Sequence, residues 1–297
     1  MTRPMTVAPP TAATQAPPAP ASAGPPAPAG PDLRTRGVVL GYDDRVVVDG
    51  VDLALPAGEV TVVVGANACG KSTLLRGLAR LLAPRGGSVL LDGRELHRTP
   101  TREVARRLGL LPQSPIAPEG VTVGDLVARG RSPHQRWWQQ WSEADERAVS
   151  EAMAATDVTA LADRPVDELS GGQRQRVWLA MALAQETEVL LLDEPTTYLD
   201  LAHQVEVLEL VAELNQVRGR TVVMVLHDLN HAARYASRVV AMKDGRVVAE
   251  GTPADVVTEE LVDDVFGLAC AVVACPMTGR PLVVPRGGRR RAAELAP

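Results

Sequence analysis

The sequence has few cysteines, no long hydrophobic run and no excess of positive charge, and each absence excludes a class of protein. Three cysteines in 297 residues cannot form the disulfide framework of a small secreted domain. Hydrophobic stretches such as residues 60–64 and 189–192 are far too short to cross a bilayer. The net charge of −5 gives no reason to expect a nucleic-acid partner. With no basic-then-apolar leader, we expect a cytosolic protein, or one that reaches a membrane through a partner.

The chain has the composition of a globular protein between two terminal segments of biased composition. Hydrophobic residues make up 45% of the chain and charged residues 23%, which is typical of a soluble protein with a sizeable core. Residues 1–32 are rich in proline and alanine and predict a disordered or polyproline-like tail. Residues 286–297 contain three consecutive arginines without a core pattern, so they predict a flexible basic tail. The folded domain is expected at residues 33–285.

One stretch, residues 65–73, fits the spacing G-x-x-x-x-G-K-[ST] of a phosphate-binding P-loop. A β-branched run precedes it and a helix-forming stretch follows, which is the strand–loop–helix context that the motif requires. The backbone N–H groups of such a loop form an anion-binding nest at a helix N-terminus. Lys71 would add a charge for the β- and γ-phosphates, and the Ser72 hydroxyl could bind Mg²⁺. The sequence therefore predicts a nucleoside triphosphate site, and a plain glycine turn is the less favoured alternative.

The order of the remaining segments predicts an α/β fold in three parts. Short β-branched runs between residues 38 and 55, and again at 88–91, favour an antiparallel sheet beside the P-loop strand. The strand signal then disappears over about 114–168, where helices are expected at 123–128 and 142–155. From residue 173 onwards helices alternate with buried strands, which implies a parallel sheet covered on both faces. A hairpin is predicted around Asp244 and Gly245.

A second acidic motif closes the hydrophobic strand at residues 189–192. Asp193 and Glu194 follow it directly, and P-loop folds need a carboxylate at such a strand end to orient the metal. Asp193 would hold Mg²⁺, directly or through water. Glu194 would stand beside the γ-phosphate and polarise the attacking water. Two solvated acids at a strand end are the alternative.

The third motif is a Ser-Gly-Gly turn that opens a helix, at Ser170, Gly171, Gly172 and Gln173. It is a second anion-binding helix terminus in one chain, which a single triphosphate could use only if two copies faced each other. This stretch resembles the signature motif of the ABC-type ATPases, with the P-loop and residues 189–195 as their Walker A and Walker B motifs. The resemblance covers residues 33–285 and implies a P-loop NTPase (RecA-like) core, an antiparallel β subdomain and an inserted α-helical subdomain.

Four further positions follow from the resemblance. Tyr42 matches the aromatic residue that stacks on adenine, although a tyrosine at a sheet edge is the alternative. Gln113 matches the glutamine that joins the core to the helical insert and senses Mg²⁺ and water. Asp200 matches the loop that touches the opposite subunit, and His227 matches the histidine that contacts the γ-phosphate and orients Glu194.

These predictions sort the site residues into three groups. The catalytic residues are expected to be Glu194, His227 and Gln113. Mg²⁺ is expected at Ser72, Gln113 and Asp193. The residues expected to bind ATP are Tyr42, Gly65, Ala66, Asn67, Ala68, Cys69, Gly70, Lys71, Ser72, Thr73, Ser170, Gly171, Gly172, Gln173 and Asp200.

Two features depart from the family pattern or lie outside it. Ala66 and Ala68 stand where the family commonly has proline and glycine, and an alanine with positive φ at position 68 would cost on the order of 1 kcal/mol. Cys270 and Cys275 lack the additional Cys or His of a zinc set, so a place in the core is favoured over metal binding.

The resemblance implies an ATPase that powers a separate transmembrane permease from the cytoplasmic face of the membrane, working as a dimer, in the simplest case a homodimer. Stretches around Asp200, His227 and Gln113 resemble importers of ferric siderophores, with a substrate-binding protein as an indirect partner. Importers of cobalamin or haem are the alternative cargo class. A soluble ABC-type ATPase acting on ribosomes or DNA is less favoured, since there is one cassette, no heptad run and an acidic balance. The presence of Glu194 and His227 argues against a P-loop module without turnover.

Overall fold

The computed structural model describes residues 31–135 and 141–287. Apart from residues 31–32 and 286–287, both predicted tails lie outside the described residues. The strands are β1 (Leu33–Tyr42), β2 (Arg45–Leu55), β3 (Val60–Gly65), β4 (Gly86–Leu91), β5 (Arg94–Glu95), β6 (Leu108–Leu111), β7 (Val189–Asp193), β8 (Thr221–Val225), β9 (Arg238–Lys243), β10 (Arg246–Gly251), β11 (Cys270–Ala274) and β12 (Pro281–Pro285). The helices are α1 (Lys71–Leu78), α2 (Thr101–Arg107), α3 (Val123–Ala128), α4 (Glu143–Ala155), α5 (Gly171–Ala184), α6 (Leu201–Arg218), α7 (Leu229–Tyr235), α8 (Pro253–Val256) and α9 (Glu259–Phe266).

The core is a six-stranded sheet in the order β10-β9-β3-β8-β7-β6, in which only the β9–β10 pair is antiparallel. Its central strands are apolar and buried along their whole length, as expected for parallel strands covered on both faces. One hydrophobic cluster fills each face of this sheet. Because parallel strands end at one edge, the loops after β3, β7 and β8 meet there.

The predicted antiparallel sheet forms, but as a separate layer with the order β2-β1-β4-β5. The two short runs expected between residues 46 and 55 belong to one continuous strand, β2, which pairs with β1 through several register shifts. Irregularities of this kind let a strand pass through polar residues such as Asp49 and Gly50 without ending. This sheet covers α1 and the second face of the core.

Between β6 and α5, the described residues form α3, α4, short 3-10 turns and loops, and their β pairing is limited to one isolated bridge, Thr122 with Pro165. Helix α4 begins with a capping box in which Ser142 and Asp145 bond reciprocally to each other's backbone N–H. Helices α3 and α4 pack on α5, whose C-terminal end lies in the core.

A buried ion cluster, called here the insert joint, ties these helices to the core. Arg131, which follows α3, is 4% exposed. Its Nε donates to Asp145 Oδ1 at 2.8 Å, and its Nη1 donates to the Ala184 carbonyl at 2.7 Å and to Glu186 Oε2 at 2.8 Å. Burial alone raises the pKa of Asp145, but the hydrogen bonds from Arg131 and Ser142 outweigh it and hold that pKa below its ordinary value.

The last part of the described chain adds α8, α9 and a β11–β12 hairpin around a small core of its own. Thr252 and Thr258 cap the two helices. No helix in the described ranges combines the length and apolarity needed to span a membrane.

Candidate nucleotide site

The P-loop joins β3, which ends at Gly65, to α1, which begins at Lys71. Gly65 has φ +153°, and a Cβ there would lie 2.3 Å from the Met242 carbonyl oxygen of β9. Gly70 has φ +107° at the N-cap of α1. Both positions therefore require glycine, because φ is positive and a neighbouring backbone carbonyl lies close to where a Cβ would be.

Ala68 occupies the left-handed region at φ 62°. The sequence predicted strain here if φ were positive, and φ is positive. An alanine in this conformation costs on the order of 1 kcal/mol relative to glycine. The next residue of the loop, Cys69, is buried in the hydrophobic cluster beneath it, and burial raises the pKa of its thiol. The thiol is consequently held in its neutral form at neutral pH.

Lys71 carries the positive charge of the loop. The residue is only 5% exposed, and its Nζ donates to the carbonyl oxygens of Gly65 and Ala66, each at 2.9 Å. These two bonds hold the ammonium group over the loop instead of letting it extend into solvent. A phosphate entering the nest would meet a cation that is already in place.

Ser72 and Asp193 meet at the carboxyl edge of the sheet. The Ser72 hydroxyl donates to Asp193 Oδ1 at 2.9 Å, and the Asp193 residue is 2% exposed. Burial raises the pKa of Asp193, and repulsion by Glu194 adds to this, against the lowering effect of the Ser72 hydrogen bond. A hydroxyl and a carboxylate oxygen side by side are ligands that a hard divalent cation prefers.

Glu194 lies directly after β7 and is 6% exposed, with φ 53°. Its Oε1 is 2.6 Å from Nε2 of His227, which follows β8, and its Oε2 accepts a hydrogen bond from the Thr197 hydroxyl at 3.1 Å. Two different loops therefore hold the carboxylate, and both acids are buried rather than solvated. The alternative of two solvated acids at the strand end is wrong.

The Ser-Gly-Gly turn forms the N-terminus of α5. Ser170 and Gln173 make a capping box, with Gln173 N donating to Ser170 Oγ at 3.3 Å and Ser170 N donating to Gln173 Oε1 at 3.1 Å. Gly171 has no side chain to shield the end of the helix, and it is exposed. Within the described residues, no hydrogen bond joins this turn to the P-loop of the same chain.

The other predicted positions lie around these centres. Tyr42 ends β1, is 41% exposed and accepts a hydrogen bond from Arg76 at 3.1 Å. Gln113 follows β6 and lines a cavity of about 310 Å³ together with Gly171 and Arg174. Asp200 caps α6, and hydrogen bonds from the backbone and ring of His203 lower the pKa of its carboxyl.

Two residues near Glu194 were not predicted from the sequence. The Thr197 hydroxyl contacts the Glu194 carboxylate, and buried Gln175 of α5 donates through Nε2 to the Pro195 carbonyl at 3.1 Å. Thr197 stands three residues after Glu194, a spacing at which a turn brings a hydroxyl back to a side chain, so a signal existed. No sequence pattern links Gln175 to Pro195.

The expected place in the core is met by Cys270 but not by Cys275. Cys270 is buried in the small core, while Cys275 is half-buried, and both are free thiols. Across the described ranges, no cluster of three or more His, Cys, Asp or Glu side chains could hold a metal ion.

Residues 48–197 match the ABC transporter family, and this match spans the P-loop, the Ser-Gly-Gly turn and the acidic strand end. The chain belongs to the ABC transporter family. As expected for this family, it is an ATP-binding domain with an ATPase fold, and the fold class predicted from the sequence is confirmed.

Relatives within the ABC transporter family share about half of their residues with this chain. The probable siderophore transport system ATP-binding protein YusV of Bacillus subtilis is 57% identical over 89% of this chain and 96% of its own length. The ferric enterobactin transport ATP-binding protein FepC of Escherichia coli is 51% identical over 86% and 94%. Proteins named as hemin import ATP-binding proteins are matched at 45% and 46% identity.

Among solved structures, the dimeric structure of MJ0796, a bacterial ABC transporter cassette, superposes with a TM-score of 0.68 at 27% identity. The match covers 74% of this chain and 98% of the cassette.

Proposed function

We propose that this chain is the ATP-hydrolysing subunit of an importer that takes up ferric siderophores through a separate membrane permease. The observation that carries the proposal is the meeting of three elements at one edge of the sheet: the Lys71 ammonium, the Ser72–Asp193 pair and the Glu194–His227 pair. A triphosphate placed in the loop would have a cation, a metal position and a base within reach.

Each group would act through the contact that it makes. The P-loop N–H groups and Lys71 would hold the phosphates, and Tyr42 would stack on the adenine. Glu194 would accept a hydrogen bond from the attacking water and orient it, while His227 would contact the γ-phosphate and keep the carboxylate in place. The buried position of Glu194 supports this role because it limits the ways in which the carboxylate can turn.

The metal position fits Mg²⁺ by the chemistry of its donors. Ser72 and Asp193 would hold the ion, with Gln113 as a further oxygen ligand. When bound, Mg²⁺ supplies charge neutralisation at the β- and γ-phosphates. The raised pKa of Asp193 is consistent with a carboxylate that becomes fully ionised when a cation binds.

The Ser-Gly-Gly turn supports a shared site. Ser170 and Gly171 are exposed, and among the described residues no hydrogen bond joins this turn to the P-loop of its own chain. We infer that the turn caps the nucleotide of a second copy. Asp200, exposed at the start of α6, would touch that copy. The related MJ0796 cassette is described as a dimer, which favours the same arrangement here.

Partners and location follow from the family and from the cavity beside Gln113. The permease would dock on the helical insert, residues 114–168, at the cavity of about 310 Å³ that Gln113 shares with Arg174. The ATPase would then sit at the cytoplasmic face of the membrane as a peripheral subunit. A substrate-binding protein would deliver the cargo without touching this chain.

The choice of cargo comes from relatives, because the cargo never contacts this subunit. YusV and FepC are named for siderophore and ferric enterobactin transport, and they are more similar to this chain than the hemin importers are. Ferric siderophore is therefore the proposed cargo. Haem or cobalamin uptake is the alternative.

The test is complementation of a bacterium that lacks its siderophore-importer ATPase but keeps the matching permease. The full chain should restore growth when a ferric siderophore is the iron source, while Lys71→Ala should not, although it is present at the same level. Growth restored on haem alone would replace the proposed cargo, and growth restored by Lys71→Ala would refute the role of ATP binding.

A further inference from the structure

Glu194 stands at the start of a compact turn that leads to the exposed surface. The turn is closed by Thr197 N donating to Glu194 O at 3.2 Å, and Gln175 fixes its Pro195 carbonyl to α5. Tyr198, four residues after Glu194, is 75% exposed with φ 68°, and Asp200 caps α6 at the surface. The turn thus connects a buried base to an exposed segment.

Within that turn, one side chain reaches back to the base. The Thr197 Oγ1 donates to Glu194 Oε2 at 3.1 Å, while His227 contacts the other oxygen, Oε1, at 2.6 Å. One contact on each oxygen, from Thr197 and from His227, therefore fixes the carboxylate. The Thr196 hydroxyl makes no such bond in the described structure, although it belongs to the same turn.

We propose that Thr197 is a positioning residue for hydrolysis, whose hydroxyl fixes the Glu194 carboxylate and links its orientation to the exposed segment at Tyr198–Asp200. Thr197 does not touch ATP in this scheme; it acts through Glu194. The inference rests on the proposed ATPase function and adds the route by which a partner pressing on Tyr198 or Asp200 reaches the base.

A purely structural role for Thr197 would predict different behaviour. A threonine that merely closes the turn would stabilise the fold, and its replacement would lower the midpoint of thermal unfolding. A positioning hydroxyl predicts a lower kcat with an unchanged KM for ATP, because the phosphate-binding groups are untouched. Hydrogen bonds to charged groups are strong enough that losing this one should lower kcat roughly tenfold or more.

The experiment compares the full chain with Thr197→Val, Thr197→Ser and Thr196→Val. In Thr197→Val, phosphate release should slow roughly tenfold, KM for ATP and the unfolding midpoint should stay near wild type, and the ATP-bound dimer should last longer. Thr197→Ser keeps a hydroxyl and should restore most of the rate. Thr196→Val should behave as wild type, since it has the same change of shape one residue away.

Several results would overturn the assignment. One is a kcat for Thr197→Val within twofold of wild type. Another is a kcat for Thr197→Ser as low as that for Thr197→Val. A third is a loss of kcat in Thr196→Val equal to that in Thr197→Val. A Thr197→Val protein that unfolds at lower temperature and is slow only for that reason would also overturn it, and Thr197→Ala serves as the second variant for this comparison. If wild type releases no phosphate at all, the proposed function fails first, and the role of Thr197 fails with it.

Discussion

The nucleotide site and the insert joint both bury charged side chains, yet the two regions treat them in opposite ways. At the joint, Arg131 donates to the buried carboxylate of Asp145, to the half-exposed carboxylate of Glu186 and to the Ala184 carbonyl. At the site, Asp193 and Glu194 lie buried side by side, and their repulsion contributes to the raised pKa of Asp193. Buried charges that are fully paired stabilise a position, whereas like charges held together are retained for a ligand.

Backbone geometry does not follow this division, because both regions contain non-glycine residues at positive φ. The left-handed φ values of Ala68, Glu194 and Tyr198 all belong to loops of the nucleotide site or the turn after it. In the joint, Arg131, Asp145 and Ala184 lie in helical turns and have right-handed backbone conformations. Glu186, which follows α5, has a left-handed conformation with φ 51°. From the difference in charge pairing, we expect changes at the site to alter turnover and changes at the joint to alter stability.

The largest expected effect is on turnover at the site. Glu194→Gln removes the base and should lower kcat by roughly two to four orders of magnitude, while ATP still binds and the unfolding midpoint does not fall. Phosphate release and nucleotide binding measured on the same preparation test this. Near-normal turnover in Glu194→Gln would remove Glu194 from its assigned role.

At the joint, we expect a substitution to lower stability rather than turnover. Arg131→Met leaves Asp145 buried without its partner and should lower the free energy of unfolding by about 3–5 kcal/mol in urea titrations. Arg218→Met is the matched control, because its pair with Glu151 is about half exposed and should contribute about 1 kcal/mol or less. An equal loss in both variants would mean that the joint is an ordinary surface ion pair.

The pH dependence should distinguish the joint as well. Since the pKa of Asp145 is lowered in the folded state, its contribution to stability is present above the ordinary aspartate pKa of about 4 and is lost as the pH falls through the lowered value. Asp145→Asn should therefore flatten part of the acid limb of the stability curve. If the curves of wild type and Asp145→Asn stay parallel below pH 4, Asp145 is not the group responsible.

How much of this could be read from the sequence depends on how local each feature is. The bounds of α3 were predicted correctly, and those of α4 to within one residue, because a short periodic run and its flanking signals lie within a few residues. The P-loop and the acidic strand end were found for the same reason. By contrast, no secondary structure was predicted for residues 252–285, although the Thr252–Asp255 capping box was a usable signal.

Contacts between distant segments could not be predicted. Arg131 meets Glu186 across 55 positions, and Gln175 meets Pro195 across 20, with no spacing rule to relate them. The continuity of β2 was also missed, since Asp49 and Gly50 look like a turn until the register shifts of the β1–β2 pair absorb them. The roles of individual site residues remain predictions until the variants are measured.

The smallest expected effect concerns the strained alanine. Ala68→Gly should raise the free energy of unfolding by about 0.5 kcal/mol, because relief of the positive φ exceeds the added entropy of the unfolded chain. Ala66→Gly is the control, since Ala66 does not have a positive φ and glycine there should be neutral or destabilising. The denaturant midpoints of Ala68→Gly and Ala66→Gly, each compared with wild type, test this prediction. A loss of stability in Ala68→Gly would show that the strain is absent.

The most direct measurement is the mass of the Glu194→Gln protein in solution by light scattering, with and without ATP and Mg²⁺. If the phosphate nest of one copy is closed by the Ser170–Gly172 turn of another, ATP and Mg²⁺ should convert a monomer into a dimer. ADP should not, and neither should ATP added to a Glu194→Gln protein that also carries Ser170→Arg. A Glu194→Gln protein that stays monomeric with ATP, alone and together with its permease subunits, would contradict the shared site.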